Sequence, residues 1–399
     1  MGNESNGRVL RCGGGSAVHA AQGNRAAVSS SFCFLLFFYN ARVKTWDVLI
    51  VGGGIIGLSL SIELRKRGAT VLIVERGEPG REASHAAGGM LVDCPLETHA
   101  AMLPLAAASA GIYPEFAYEL EVESGMKVDL RDQGAIVFPP AGHAREWERA
   151  LAEHAVQAAK VAQLEPGMAD ANRPAFVLKE RSVDPRALTA AAVKAAKNRG
   201  VDFSSGNEVT SVTIADGCAA GVATTKNVFR ASKVVNCAGA WSGRIGPYAF
   251  PTRPVKGQML CLASPSRELL KHVIRSPEVY LIPRSNGRIL AGATVEEAGF
   301  DKRTDPATMQ CFHHAAIALI PELRNAKILE DWAGLRPGTP DALPILGATS
   351  TPGYFVATGH FRDGILLAPI TAQVMADVIT GKDPAYDLRA FSAARFSHS

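Results

Sequence analysis

Residues Trp46 to Arg76, WDVLIVGGGIIGLSLSIELRKRGATVLIVER, leave this chain few folds to choose from. An apolar, β-branched run from Val48 to Val51 has strand length and meets at once the turn Gly52-Gly53-Gly54-Ile55-Ile56-Gly57. A helical pattern from Leu58 follows, closed by Gly68 where a helix C-cap glycine belongs, and a second strand, Ala69 to Val74, delivers Glu75. This is a βαβ unit with G-x-G-x-x-G between strand and helix, the context that makes the spacing a dinucleotide fingerprint. Gly52 permits the tight turn, Gly54 lets backbone approach a pyrophosphate, and Gly57 lets helix and strand pack closely. Free N–H groups and the helix dipole favour a phosphate at that helix start. Glu75 stands 18 residues after Gly57, placed to accept hydrogen bonds from ribose hydroxyls. Its charge would repel a ribose phosphate, which disfavours NADP.

The 399 residues, 47% hydrophobic and 20% charged, can bury one large core or two interleaved ones. Arg8, Arg11, Arg25, Arg42 and Lys44 face only Glu4, so the first 46 residues carry the whole net charge of +4. The remainder is neutral, which argues against a nucleic-acid or anionic-membrane partner for the folded part. Seven scattered cysteines without a C-x-x-C pair read as free thiols of a reducing, cytoplasmic setting, not a disulfide frame or a metal site. Residues 1–45 read as a disordered or spurious extension. Phe32 to Tyr39 is too short to span a bilayer, the Arg-rich, acid-poor composition also suits a transit peptide, and Met1-Gly2 lacks Ser or Thr at position 6 for myristoylation.

Further along, residues 101–123, 144–163, 183–200, 306–320 and 365–379 carry helical periodicity. The third has Asp184 as N-cap, Pro185 at N1 and Gly200 at its end. Lys127–Arg131 and Gly134–Pro140 look like a strand pair, and Val201–Val212 and Gly221–Val228 alternate as strands. Lys233–Gly239 reads as a buried strand before Trp241, which is expected to pack beneath the dinucleotide unit. Residues 255–263 and 278–295 look antiparallel around Ser285-Asn286-Gly287, Trp332–Pro344 is a Pro/Gly-rich segment with one arginine, and Gly353–Gly359 is a last strand. The fold class is α/β, mixed with α+β. A Rossmann-like cofactor domain from 46–90, 180–250 and 345–390 interleaves with a mainly antiparallel substrate domain from 91–179 and 251–344.

The order of VGGGIIGLSLSIELRKRGATVLIVER, ASHAAGGML, VNCAGAWS, YLIPR, GLRPGTPDALPILG and GHFRDGILLAPITAQ resembles the D-amino-acid oxidase-like FAD-dependent oxidoreductases, most of all the glycine-oxidising branch that serves thiamine biosynthesis. The likeness covers about residues 46–385, and its C-terminal segments are more specific than the fingerprint. It implies FAD as cofactor. On its motifs, Gly52, Gly54, Ile55, Ile56 and Gly57 meet the pyrophosphate, Glu75 and Arg76 flank the adenosine ribose, and Val209 meets adenine through its backbone. Ala83, Ser84, Gly88, Gly89 and Met90 approach the ribityl chain and ring. His360, Phe361, Arg362, Asp363, Gly364, Ile365 and Leu366 open the helix whose N-terminus faces the flavin. Arg336 matches the arginine that grips the substrate carboxylate, Tyr280 closes the same pocket, and Arg362 lines it. His85 and His360 are not expected to act as bases, and His313-His314 are expected to be packing or solvated residues. The loop with His85 and the extra Gly88, and Pro277-Glu278-Val279 before Tyr280, depart from the family pattern and bear on the exact substrate.

The implied activity is oxidation of glycine or a similar small amine to an imine, then to oxo acid and ammonia, with O2 reduced to H2O2. The imine would be the product used in thiazole formation. A D-amino-acid or sarcosine oxidase, a dehydrogenase with a quinone or carrier acceptor, and a non-catalytic flavin-binding protein are the alternatives. The other partners are small molecules, no metal is called for, and the oligomeric state, a homo-oligomer included, stays open.

Overall fold

The protein is described by a computed structural model over residues 44–152, 157–158, 160–169 and 173–396. The readings of residues 1–43 fall outside it. Among the described residues, two eight-stranded sheets and one three-stranded sheet carry the fold. In the first sheet, Thr45–Val51 lies centrally, parallel to Val71–Glu75 on one side and to Val228–Asn236 on the other. A strand covered on both faces must be apolar throughout. Accordingly Val48, Ile50, Val71 and Ile73 pack with Leu58, Leu188 and Leu366 of the helices, while Leu49, Val51, Leu72 and Val74 pack with Val212, Val222 and Tyr354. Ile55–Lys66 follows the first strand, opening within the turn and before the Leu58 start that was read, and Gly68 adopts φ +86° just past its end. The strand Val228–Asn236 divides its edge: its early residues pair with Cys218–Thr224 and its last three with Tyr354–Thr358.

The second sheet runs in the order Ile328–Gly338, Arg253–Ala263, Arg288–Gly292, Tyr280–Pro283, Val273–Arg275, Ala135–Val137, Phe176–Leu178 and Gln157–Ala158. Its one face packs Leu260, Leu281 and Ile289 against Met309 and Phe312 of the helix Pro306–Leu319. Its other face presents Met259, Cys261 and Ile282. The helix Pro185–Asn198 begins as read: the Asp184 carboxylate accepts from the amides of Arg186 and Ala187, and Pro185 occupies the first turn. Among the described residues no helix is long and apolar enough to cross a membrane.

Several local readings change. The helix expected over 144–163 ends at Ala152, because Gln157–Ala158 pairs with Phe176–Val177, a non-local bond that an Ala-rich pattern cannot announce. The two segments after Lys127 do not pair with each other. Leu130–Arg131 joins Arg181–Val183, whereas Gly134, at φ +88°, turns the chain so that Ala135–Val137 enters the second sheet. The stretch 201–212 is two strands, Asp202–Ser205 beside Val71–Glu75 and Val209–Ala215 at the opposite edge. The Pro/Gly-rich arginine segment lies largely in an eleven-residue strand, Ile328–Gly338. Pro337 is tolerated there because this strand is the sheet's edge.

Candidate active site

The carboxyl ends of Thr45–Val51, Val71–Glu75 and Val228–Asn236 open into a cavity of about 390 Å³, whose opposite wall comes from the second sheet. Glycine geometry shapes its floor. Gly52 has φ +103°, and a Cβ there would sit 2.6 Å from the Cys237 carbonyl oxygen; a Cβ on Gly57 would sit 2.1 Å from that of Gly52. Above Gly54 the nearest atom within 4 Å of a Cβ is the Ser84 hydroxyl at 3.3 Å, so protein packing leaves that side of the turn to the cavity. The Ile55 amide at the helix start donates to Ser84 Oγ at 2.9 Å, and Glu75, buried, accepts from the amides of Gly53 and Gly77 at 2.8 Å each. An open glycine turn, a helix N-terminus and a buried carboxylate at the next strand end suit a dinucleotide's pyrophosphate and ribose.

Gly52, Gly54, Ile55, Ile56, Glu75, Arg76, Ala83, Ser84 and Val209 all line the cavity, as do Gly88, Gly89 and Met90. So do His360 through Ile365. Two sequence candidates do not. Gly57 lies behind the turn, where its missing side chain lets helix meet strand, and Leu366 is in the helix core at 1% exposure, one residue past the cavity wall. Trp241 is corrected in the other direction. It lines the cavity in a 3₁₀ turn, with the Arg76 guanidinium 3.6 Å over its ring and Phe300 5.1 Å away. Asn207, Glu208 and Ala238 were also missed. Asn207 and Glu208 cross the strand ends, with the Asn207 amide donating to the Glu75 carbonyl and the break at Gly206-Asn207 as the one visible signal, whereas Ala238 follows the strand Val228–Asn236.

At the other end stand Tyr280, Met259, Gly257 and Arg336. The edge strand carries Arg336 across from Val255, and its guanidinium folds back over Gly257, where a Cβ would lie 2.4 Å from Nη1 and Nη2. Nη1 donates to the carbonyls of Thr294 (3.0 Å) and Lys256 (3.3 Å). Among the described residues no carboxylate forms an ion pair with it. Burial holds its pKa below the ordinary arginine value, the Tyr280 hydroxyl opposing this and the Arg362 charge adding to it. The Tyr280 hydroxyl donates to Met259 Sδ at 3.1 Å, a weak acceptor; burial raises its pKa, against the pull of Arg336 and Arg362. A planar donor fork with no carboxylate partner among the described residues, beside a phenol hydroxyl, is chemically suited to a small carboxylate.

His360 is 3% exposed, its Nε2 lies 3.2 Å from Thr371 Oγ1, and burial pushes its pKa down to about 3, so it is neutral at physiological pH. Burial pushes Asp363 up to about 6, with Arg362 lowering and Glu97 raising it. His313 and His314 lie on the helix Pro306–Leu319, away from the cavity, half-buried and exposed respectively.

A family model described as FAD dependent oxidoreductase matches residues 47–378. The bifunctional protein ThiO/ThiG of Nostoc sp. (strain PCC 7120) is 37% identical over 346 residues, 84% of this chain and 53% of that protein. The glycine oxidase of Geobacillus kaustophilus is 34% identical over 367 residues, covering 88% of this chain and 97% of that one. Its kind is matched in three dimensions too: the crystal structure of glycine oxidase from Geobacillus kaustophilus superposes with a TM-score of 0.83 at 33% identity, covering 88% of this chain and 99% of that chain. The chain thus spans about half the length of the bifunctional relatives it matches.

Proposed function

This chain belongs to the FAD dependent oxidoreductase family, and from that premise we propose that it oxidises glycine, or an amino acid nearly as small, to its imine with reduction of O2 to H2O2. The observation that carries the substrate half is Arg336, a guanidinium held by two backbone carbonyls with no protein carboxylate, facing Tyr280 across one cavity. The names of the relatives support glycine as the amine and thiazole formation in thiamine biosynthesis as the use of the imine.

Bound FAD supplies the two-electron acceptor for this chemistry. The turn Gly52–Gly57 with Ser84 would hold its pyrophosphate, Glu75 its ribose, and Gly88–Met90 with the helix start at Gly364 its redox-active end. Arg336 binds the substrate carboxylate through two parallel N–H donors, and Tyr280 turns its hydroxyl from Met259 to the same carboxylate. Fixing the carboxylate at two points leaves the α-carbon one orientation, and positioning of this kind can supply most of the rate. Neutral, buried His360 adds no charge to the wall. Apart from Thr45, the strands of the first sheet derive from 46–90, 180–250 and 345–390, which supports reading those segments as the cofactor domain and 91–179 with 251–344 as the substrate domain. The buried free thiols Cys94, Cys237 and Cys261 support a cytoplasmic setting.

The test is peroxide release in air by the FAD-loaded protein with glycine, sarcosine, D-alanine and D-proline side by side. Release with glycine, lost in Arg336→Ala while FAD stays bound, is the expected result. A flavin that bleaches with amine under argon yet yields little peroxide in air would make the protein a dehydrogenase, and no bleaching with any amine would remove the substrate class.

A further inference from the structure

Arg284, directly after the strand Tyr280–Pro283, is 5% exposed and lies outside the cavity lining. Its Nη2 donates to the Gly88 carbonyl at 2.6 Å, while Nη1, also buried, has no hydrogen-bond partner among the described residues. Burying a guanidinium is costly, and here the bond from Nη2 to Gly88 is the side-chain hydrogen bond that offsets it while Nη1 stays unpaired. Side chains two residues apart share a face of a strand, so Tyr280, Ile282 and Arg284 point the same way. All three meet one residue. A Cβ on Gly88 would sit 2.9 Å from Ile282 Cδ1 and 3.6 Å from both Cε2 and Oη of Tyr280, and the third contact is the Arg284 hydrogen bond. The next residue is bound from the other side, where the Val183 amide donates to the Gly89 carbonyl.

We propose that Arg284 is a positioning residue: by holding the Gly88 carbonyl it clamps the Gly88–Met90 segment onto the Tyr280 face of the strand and so sets the wall that FAD and the amine share. The amine half rests on the oxidase reading above; the FAD half does not. Arg284 touches neither ligand. It acts through a backbone segment whose glycines leave no side chain to fix its place.

The experiment compares Arg284→Met, Arg284→Lys, Gly88→Ala and the double variant Gly88→Ala/Ile282→Val with the wild-type holoenzyme. The readouts are the Kd of FAD for the apoprotein, the visible circular dichroism of bound FAD, KM and kcat for glycine, and apoprotein Tm. Arg284→Met should raise the FAD Kd and the glycine KM together by roughly tenfold, the loss of one hydrogen bond to a charged group, and alter the dichroism. Arg284→Lys, which keeps a charged donor, should return both to within about threefold. Gly88→Ala should reproduce the Met phenotype, and trimming Ile282 Cδ1 should reverse it, an outcome that a merely stabilising arginine does not predict. Wild-type FAD affinity and dichroism in Arg284→Met, or a fall confined to Tm, overturns the proposal. If Arg284→Met fails to fold, wild-type behaviour of Gly88→Ala or a null Arg284→Lys overturns it equally. If wild type oxidises no amine, the oxidase reading fails while the FAD measurements still decide this one.

Discussion

Gly257→Ala isolates the carboxylate receptor from the fold. Gly257 lies mid-strand, outside the positive-φ glycines, so alanine can adopt its backbone. The added Cβ would stand 2.4 Å from Nη1 and Nη2 of Arg336 and 2.5 Å from its Cζ. The colliding atoms are the far end of a flexible side chain, so the cheapest relief swings the guanidinium off the strand and leaves the sheet intact. That motion breaks its bonds to the Lys256 and Thr294 carbonyls and removes the donor fork from the cavity. A hydrogen bond to a charged group contributes about 1.5–3 kcal/mol, so KM for glycine should rise roughly ten- to hundredfold. FAD affinity and Tm should stay close to wild type. The assay is initial-rate peroxide release over a glycine series, beside FAD titration and a thermal melt. A folded, FAD-loaded Gly257→Ala protein with wild-type KM would refute the placement of Arg336 as the carboxylate receptor.

Glu75→Ala should weaken FAD by roughly tenfold or more and lower apoprotein Tm too, since the Gly53 and Gly77 amides lose their shared acceptor; a change in neither, by titration and melting, contradicts the role given to that carboxylate. The pH dependence of stability should be set by opposed groups. His360, about 3 in the fold against 6.5 unfolded, contributes stability that is present above pH 6.5 and lost as pH falls toward 3. Burial raises Glu180 to about 7, against the pull of Arg275, and Asp363 to about 6, so their contribution is full below their unfolded values of 4.5 and 3.8 and lost as pH rises toward 7. His360→Gln should therefore flatten the acid limb of denaturant-measured stability, by up to roughly 1.4 kcal/mol per pH unit, and an unchanged slope would show that His360 is not held neutral.

The fingerprint was legible because its constraints are local: a strand, a turn that only glycine can make, a helix and an acid fall within Trp46–Arg76. The helix starting at Pro185 was legible for the same reason, its cap and proline adjoining one another. What stayed hidden depends on partners far along the chain. Nothing near Leu130 says that it will pair with Val183, and nothing near Trp332 says that a segment holding Gly334, Pro337 and Gly338 will lie extended against Arg253–Ala263. Trp241 was misjudged because an aromatic after a buried strand resembles packing until Arg76 and Phe300 are known to flank it. Arg336 is the instructive case. The role proposed for it came from a motif, but the reason a guanidinium can lie there is Gly257, some eighty residues earlier and unremarked in the sequence.

That last pairing describes how the cavity as a whole is made. One side of it uses strand ends of the first sheet, the other uses a face of the second, and its walls need close approaches that a side chain would block. Glycine stands at three close approaches in its walls: Gly89 with a Cβ position 2.1 Å from the Val183 carbonyl oxygen, Gly334 with one 2.3 Å from the Ala86 Cβ, and Gly257 beneath Arg336. At Gly89 the obstacle is backbone and φ is +75°, so a side chain there must disturb the wall itself. At Gly257 the obstacle is a guanidinium that can move, so the fold survives and only recognition is lost. The same residue type thus serves architecture at one point and chemistry at another, and what its missing side chain would strike tells the two apart.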